Sequence, residues 1–181
     1  MLNDKISPWI TAGYATFAEQ GISGLKIEVI ARKVNKSKSS FYHHFADLEI
    51  FIDYLLEHHI KQAELIAEKA KALKNINPSA LNLILDHKLD IFFHKQLRIN
   101  RDKKNYRDCF EKAYYYIGSA FMHIWTTEIG LNDNKPLSKE LLDFVEENFY
   151  ISVTEKNFTF NWLSEYFKKI TDITCEIKKS P

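Results

Sequence analysis

Cysteine is nearly missing from this chain. There are two in 181 residues, Cys109 and Cys175, with no CxxC or CxxH spacing. A disulfide scaffold and a cysteine-based zinc site are not expected, and the pattern fits a reducing compartment. Glycine (five) and proline (four) are also scarce, whereas sheets joined by many tight turns need more of both. No stretch approaches the roughly 20 apolar residues of a membrane span, and the opening "MLNDKISPWITAGY" has no signal-peptide pattern. We therefore expect a cytoplasmic protein without membrane contact. Neither sign of charge is in excess: 25 Lys and Arg stand against 24 Asp and Glu, a net +1. That disfavours nonspecific coating of nucleic acid but leaves room for a local basic patch. The sequence also lacks a Ser/His/Asp motif, a glycine-rich phosphate loop and HExxH. No catalytic residue, metal site or cofactor is expected, and the chain does not read as an enzyme.

What is present is hydrophobic residue at helical spacing. Hydrophobic residues make up 45% of the chain, enough for a core, and they recur at three and four. The fold class expected is all-α. A first helix fits Asn3 to Gln20, with Pro8 near its first turn and Gly21 as its stop. Two short helices follow, Ile27 to Val34 and Ser37 to about His44, with Asn35 between them and Ser37 as N-cap. A long helix opens near Asp47 and runs to the break at Asn75–Pro78. Its charged second half, Lys61 to Lys74, reads as an exposed connector. Beyond it we expect one helix over "SALNLILDHKLDIFFHKQL", one over Tyr106 to Ile129, and two over "LSKELLDFVEENFYIS" and "KNFTFNWLSEYFKKIT". The tail "CEIKKSP" is expected to fray.

Two short helices joined by a tight turn and backed by a longer one describe a helix-turn-helix, whose second helix enters the DNA major groove. The stretch "ARKVNKSKSSFYHHF" then has two faces. Phe41 and Phe45 anchor the helix inward. Ser37, Ser39 and Ser40 are small enough to let the backbone approach DNA. Tyr42 and His43 reach phosphates or a thymine methyl, and Lys36 and Lys38 add charge.

Over residues 6–56 the sequence resembles the tetracycline-repressor (TetR) family of bacterial transcriptional regulators. The likeness rests on Ala12, Phe17, Gly21, Ile30, Ala31, Ser37, Phe41, Tyr42, His44, Phe45 and Glu49, and on the piece "FAEQG…IEVIARKVNKSKSSFYHHF". Departures are Lys26 where the family usually caps the second helix with Thr or Ser, Asn35 and Lys36 in place of glycine and valine in the turn, and Leu48 in place of a phosphate-holding lysine. Lys36 is expected to snorkel where an apolar residue commonly packs. Glu28 stands where it would repel phosphate.

The resemblance implies an N-terminal three-helix DNA-binding domain and a C-terminal helical domain that dimerises and encloses a small-molecule pocket, in an Ω-shaped homodimer. Its expected partners are a palindromic double-stranded DNA operator, a second copy of the chain and an unidentified small-molecule effector. DNA-binding residues implied are Lys26, Ile27, Lys36, Ser37, Lys38, Ser39, Ser40, Tyr42, His43 and His44. Domain boundaries are expected at 1–47 (DNA binding), 48–75 (connecting helix) and 76–181 (dimerisation and ligand binding).

In the C-terminal half, Phe92, His94, Tyr114, Tyr115, Phe121 and Trp125 are candidates for an effector pocket, with core packing the alternative use of the same residue types. Tyr116, Gly118, Ala120, Leu141, Phe144 and Val145 are candidates for a dimer interface. Asp86, His87, Asp90 and His94 would share one side of a helix, either as a polar-ligand or metal face or as a solvated, hydrogen-bonded one. Cys109 reads as a small buried hydrophobe before a redox sensor. The functional expectation is a ligand-responsive one-component regulator, a repressor. The alternatives are a helical protein-interaction module with a degenerate DNA-binding head and, last, a hydrolase assembled from scattered acids and histidines.

Overall fold

The computed structural model describes residues 5–132 and 134–179, and among them there is no strand. Nine α-helices are described: α1 (Ser7–Gln20), α2 (Ile27–Lys33), α3 (Lys38–His44), α4 (Leu48–Ala70), α5 (Leu81–Asp86), α6 (Lys88–Ile99), α7 (Lys104–Glu128), α8 (Lys135–Ser152) and α9 (Phe160–Lys179). The all-α expectation holds. The expected start at Asn3, like Ser180 and Pro181 of the tail, lies outside the described residues.

Three boundaries differ from the periodicity. The segment expected as one helix over residues 79–97 is broken. A short turn at Ile76–Ala80 leads into α5, and His87 (φ −108°, ψ 35°) separates α5 from α6. The apolar pattern runs on through His87 because both pieces are helical, but they serve different cores. α9 starts at Phe160 rather than in "KNF", because Asn157 and Thr154 close a turn on each other and Thr159 Oγ1 accepts from the Trp162 N–H at 3.3 Å. Its backbone is helical through Lys179, so the tail does not fray at Cys175.

The chain forms two compact units, each discontinuous in sequence. One comprises Met1–Glu64 with Lys88–Tyr114, the other Leu65–His87 with Tyr115–Pro181. α4 and α7 therefore each contribute to both. The charged half of α4 is not a wholly exposed connector. Ile66, Ala67 and Ala70 are buried in the second unit with Leu83 and Ala120, and Leu73, Tyr116, Ile117 and Phe121 pack around them. Charged residues occupy only the other face, as in any amphipathic helix. Elsewhere in that unit the buried Trp125 donates its indole N–H to the Ser138 carbonyl at 3.0 Å, and the Tyr166 hydroxyl donates to the Val145 carbonyl at 2.7 Å.

The first unit is centred on aromatic rings from α1, α3, α4 and α6. Trp9, Phe17, Phe41, Phe45, Phe51 and Phe93 are all essentially inaccessible. Gly13 sits mid-helix in α1, where glycine costs about 1 kcal/mol relative to alanine. A methyl group there would run into the Phe51 ring, so the glycine is what lets α4 lie against α1.

A polar chain runs through this apolar core. The Tyr14 hydroxyl lies 2.7 Å from Asp90 Oδ1 and 2.7 Å from His59 Nδ1, and His59 Nε2 lies 3.2 Å from His94 Nδ1. The phenol has one proton, and a carboxylate can only accept, so Tyr14 donates to Asp90. His59 must then donate from Nδ1 to the phenol oxygen. Its Nε2 is left as an acceptor, and His94 donates to it from Nδ1. All three donors point one way, towards Asp90, and both histidines are neutral. Their rings stack on Phe93 and Phe110, at 4.6 and 4.5 Å between centroids. Burial drives both away from the charged form: His59 well below the usual histidine range, with the neighbouring His94 and His58 adding to the effect, and His94 to about 3.

Stability should therefore depend on pH through these two rings. Unfolded histidine takes up its proton near pH 6.5. Above that neither state is protonated and the rings carry no penalty. Below it the unfolded chain binds protons that the folded chain refuses, so stability falls with pH. The fall reaches about 1.4 kcal/mol per pH unit for each ring, and for His94 it continues down to the folded value of about 3. Urea unfolding at pH 7.5, 6.5, 5.5 and 5.0 should show a plateau and then a decline of at least about 1 kcal/mol by pH 5.0. Tyr14→Phe leaves His59 Nδ1–H and Asp90 without their shared partner and should cost about 1–3 kcal/mol at pH 7.5.

Candidate nucleic-acid interface

The α2–turn–α3 segment is shaped by local hydrogen bonds that its sequence dictates. α2 ends in a Schellman motif: the Lys36 N–H bonds the Ala31 carbonyl at 2.9 Å and the Asn35 N–H bonds the Arg32 carbonyl at 3.1 Å. The motif needs a left-handed residue at Asn35, which has φ 54°, and asparagine tolerates that region better than most residues. α3 then opens with Ser37, whose side chain accepts from the Ser40 N–H at 3.2 Å. Asp47 does the same for α4, accepting from the Ile50 N–H at 2.8 Å. Lys26, at the start of α2, makes no side-chain cap.

Packing fixes the orientation. Phe41 is fully buried, edge-on to Trp9 at 5.6 Å and Phe51 at 5.2 Å, with Phe45 at 5.0 Å. With that face inward, the opposite face is open. Lys26, Lys36, Ser37, Lys38, Ser39, Tyr42 and His43 are exposed, and Ile27, Ser40 and His44 are half-buried. Tyr42 is the most conspicuous, a large ring 55% exposed. Lys36 is exposed beside the turn. Lys33 is drawn away from this face, its ammonium bonding Thr16 Oγ1 at 2.9 Å and tying α2 to α1.

Charge on the segment is one-sided. From Lys26 to His44 there are five Lys and Arg and one acid, Glu28. Glu28 is not a bare carboxylate facing outward. It forms an ion pair with Lys38, the first residue of α3. Hydrogen bonding from Lys38, followed by its own backbone amide, holds the Glu28 carboxyl below the usual range. The pair spans a cleft of about 460 Å³ between α2 and α3, also lined by Arg32 and Lys36. Sequence reasoning did not find Arg32, although its place four residues after Glu28 on α2 puts it on the same side.

The other expected sites are divided between the units. Phe92 and His94 are buried and Tyr114 half-buried in the first unit, with His94 committed to the polar chain. In the second unit Tyr115 is exposed, Phe121 packs on the α4 cluster and Trp125 is buried. Tyr116 and Ala120 belong to that same cluster. Gly118 and Leu141 are half-buried, Val145 is buried and Phe144 is exposed. Asp86 and His87 end α5, whereas Asp90 and His94 lie on α6, so the four do not share a helix face. His87 Nε2 lies 3.1 Å from the Lys69 ammonium. Cys109 is buried against the Leu56 carbonyl at 3.6 Å, and burial pushes its thiol up to about 12. A thiol held protonated is a poor nucleophile.

Ser37→Ala removes the cap of α3 and should cost about 1 kcal/mol in urea unfolding. Phe41→Ala should cost about 3–5 kcal/mol. Tyr42→Ala, which removes only an exposed ring, should stay within about 0.5 kcal/mol of the parent.

Residues 10–49 match the family model for bacterial regulatory proteins of the tetR family. No curated protein matches the chain. Among solved structures, one assigned to the TetR-family transcriptional regulators of Mesorhizobium loti MAFF303099 is 17% identical. The alignment covers 96% of each chain at a TM-score of 0.61. One assigned as a transcriptional regulator of Streptomyces coelicolor A3(2) is 14% identical over 93% of this chain and 99% of that one, at 0.59. A third, assigned to the TetR family from a Rhodococcus species, is 15% identical over 92% and 98%, at 0.54. At these identities the likeness is one of fold. Residues 10–49, which hold the helix-turn-helix, are thus similar to the tetR-family model, and the chain shares its fold with these solved structures along nearly its whole length.

Proposed function

We propose that the protein is a one-component transcriptional regulator, acting as a repressor, that binds a palindromic operator as a homodimer and responds to a small-molecule effector. The observation that carries this is the exposed face of α3, which presents Lys38, Ser39, Tyr42 and His43 from a helix anchored by Phe41, beside the exposed cations Lys26, Arg32 and Lys36. Such a face fits the major groove, with serines allowing close approach and Tyr42 reaching phosphate or a thymine methyl.

Dimerisation is supported by α8 and α9. Leu137, Phe144 and Ile151 recur every seven residues on α8 and are exposed, the last two at 64% and 65%. With Leu141 and Asn148 between them they complete an alternating four-three spacing, the pattern of helices that pack in pairs. Beside this row a groove of about 470 Å³ is lined by Phe144, Trp162, Tyr166, Ile170 and Ile173. An apolar stripe of this regularity suits a helical bundle formed by two copies. A two-headed dimer in turn requires two half-sites related by its own symmetry.

Selection from a random-sequence duplex library should return a palindrome. Binding to it should weaken steeply with salt, and Tyr42→Ala should reduce affinity by about tenfold, within the range of a single side-chain contact. A library that returns nothing would favour the protein-interaction module. Phe144→Glu places a charge in the α8 row and should shift sedimentation equilibrium towards monomer, with operator affinity falling alongside.

A further inference from the structure

Glu28 is the one acid among the charged residues from Lys26 to His44, and its partner is the cation that opens α3. Both side chains are about half exposed, so desolvation does not lock the pair and either group remains open to exchange. On a surface that meets DNA, the ligand competing for Lys38 is a phosphate oxygen, an anion of the same kind. A carboxylate already in place must be displaced before that contact forms. Meanwhile the Glu28–Lys38 pair is electrically neutral and releases no counterion when DNA approaches.

Resting on the regulator assignment above, we propose that Glu28 is a specificity-determining residue: an internal competitor of DNA phosphate that withholds Lys38 from nonspecific duplex and yields it only at a well-fitted site. On ill-fitting DNA the helix is free to shift, and Lys38 stays with Glu28. On a fitted site the docking of α3 fixes a phosphate within reach, and the exchange occurs. The device lowers affinity for the bulk of competing DNA more than for the operator, and the ratio of the two is the quantity that matters for a regulator.

The test needs no knowledge of the operator. Binding of a mixed-sequence duplex of about 30 base pairs would be followed by fluorescence anisotropy from 50 to 200 mM salt, for the parent, Glu28→Gln, Lys38→Ala and the double variant. Far-UV circular dichroism would confirm that each is folded. Glu28→Gln should bind the mixed duplex several-fold more tightly, and the slope of log K against log salt should steepen by about 0.9 per head engaged. Lys38→Ala alone leaves Glu28 unpaired and should weaken binding by that repulsion without making the salt slope shallower, because Lys38 releases no counterion in the parent. In the Glu28→Gln background it should cancel both the gain and the steepening, a coupling the cycle isolates. If Glu28→Gln tightens binding without steepening the slope, the carboxylate acts only by repelling DNA, and the proposal is overturned. A slope that becomes shallower by the same amount on Lys38→Ala in both backgrounds would overturn it too. A folded parent that binds no duplex at 50 mM salt overturns the DNA-binding assignment itself and this inference with it.

Discussion

The N-terminal unit depends on where one proton sits. Tyr14 has a single hydroxyl hydrogen, and its donation to Asp90 fixes the tautomer of His59 and, through it, that of His94. The three donors then run in one direction across α1, α4 and α6. A buried polar chain is tolerable only when every member is satisfied. Among the described residues no buried side-chain nitrogen or oxygen lacks a partner. The aromatic shell makes the arrangement exacting. Tyr14 stacks on Phe93 at 4.2 Å, and Phe93 contacts Phe17 at 4.5 Å. A sideways shift of α1 would break stacking and hydrogen bonds together. A greasy interface could slide, whereas this one has a register.

That register reaches α3 by packing. α1 places Trp9 against Phe41, α4 places Phe51 against both Phe41 and Phe45, and Gly13 sets how near α4 comes to α1. The orientation of α3 is thus the sum of short contacts between rigid rings. On its exposed face Ser37 caps it and Lys38 ties it to α2, while Ser39, Tyr42 and His43 contribute little to holding it. This division lets Ser39, Tyr42 and His43 be chosen for what they touch outside the molecule.

The parts legible in the sequence are those whose cause is local. The caps of Ser37 and Asp47 and the left-handed Asn35 act over three to five residues, so the turn and the start of each helix could be read directly. Phe41 and Phe45 could be placed inward because four residues is about one helical turn. Tyr14, His59 and Asp90 could not be joined, since 45 and 76 residues separate Tyr14 from its partners. His59 gave no signal beyond standing next to His58. The break at His87 was hidden for a different reason: apolar spacing stays helical on both sides, and the interruption comes from each side joining its own core. The charges of the later half of α4 masked Ile66, Ala67 and Ala70, where the small residues were the informative ones. Glu28 was visible as an acid near DNA. Its pairing with Lys38, ten residues away, needed the angle between α2 and α3.

The near-neutral charge of the chain takes on meaning once the charges are located. A strongly basic protein gains affinity for every duplex alike, because phosphate neutralisation is blind to sequence. A regulator confined to one site among a genome of competitors gains nothing from that. Here five cations are gathered on one nineteen-residue segment, but not all are free to bind. Lys33 is turned onto Thr16, and Lys38 is held by Glu28. What remains open is a modest cluster around Lys26, Arg32 and Lys36, beside a face of small hydroxyls and one aromatic ring. In the regulator proposed above, weak general attraction combined with a well-anchored helix would shift discrimination onto the fit of α3 itself. The rigidity of the buried aromatic shell and the restraint of the surface charge would then be two halves of one requirement, since a reader that gains little from phosphates alone must hold its helix still.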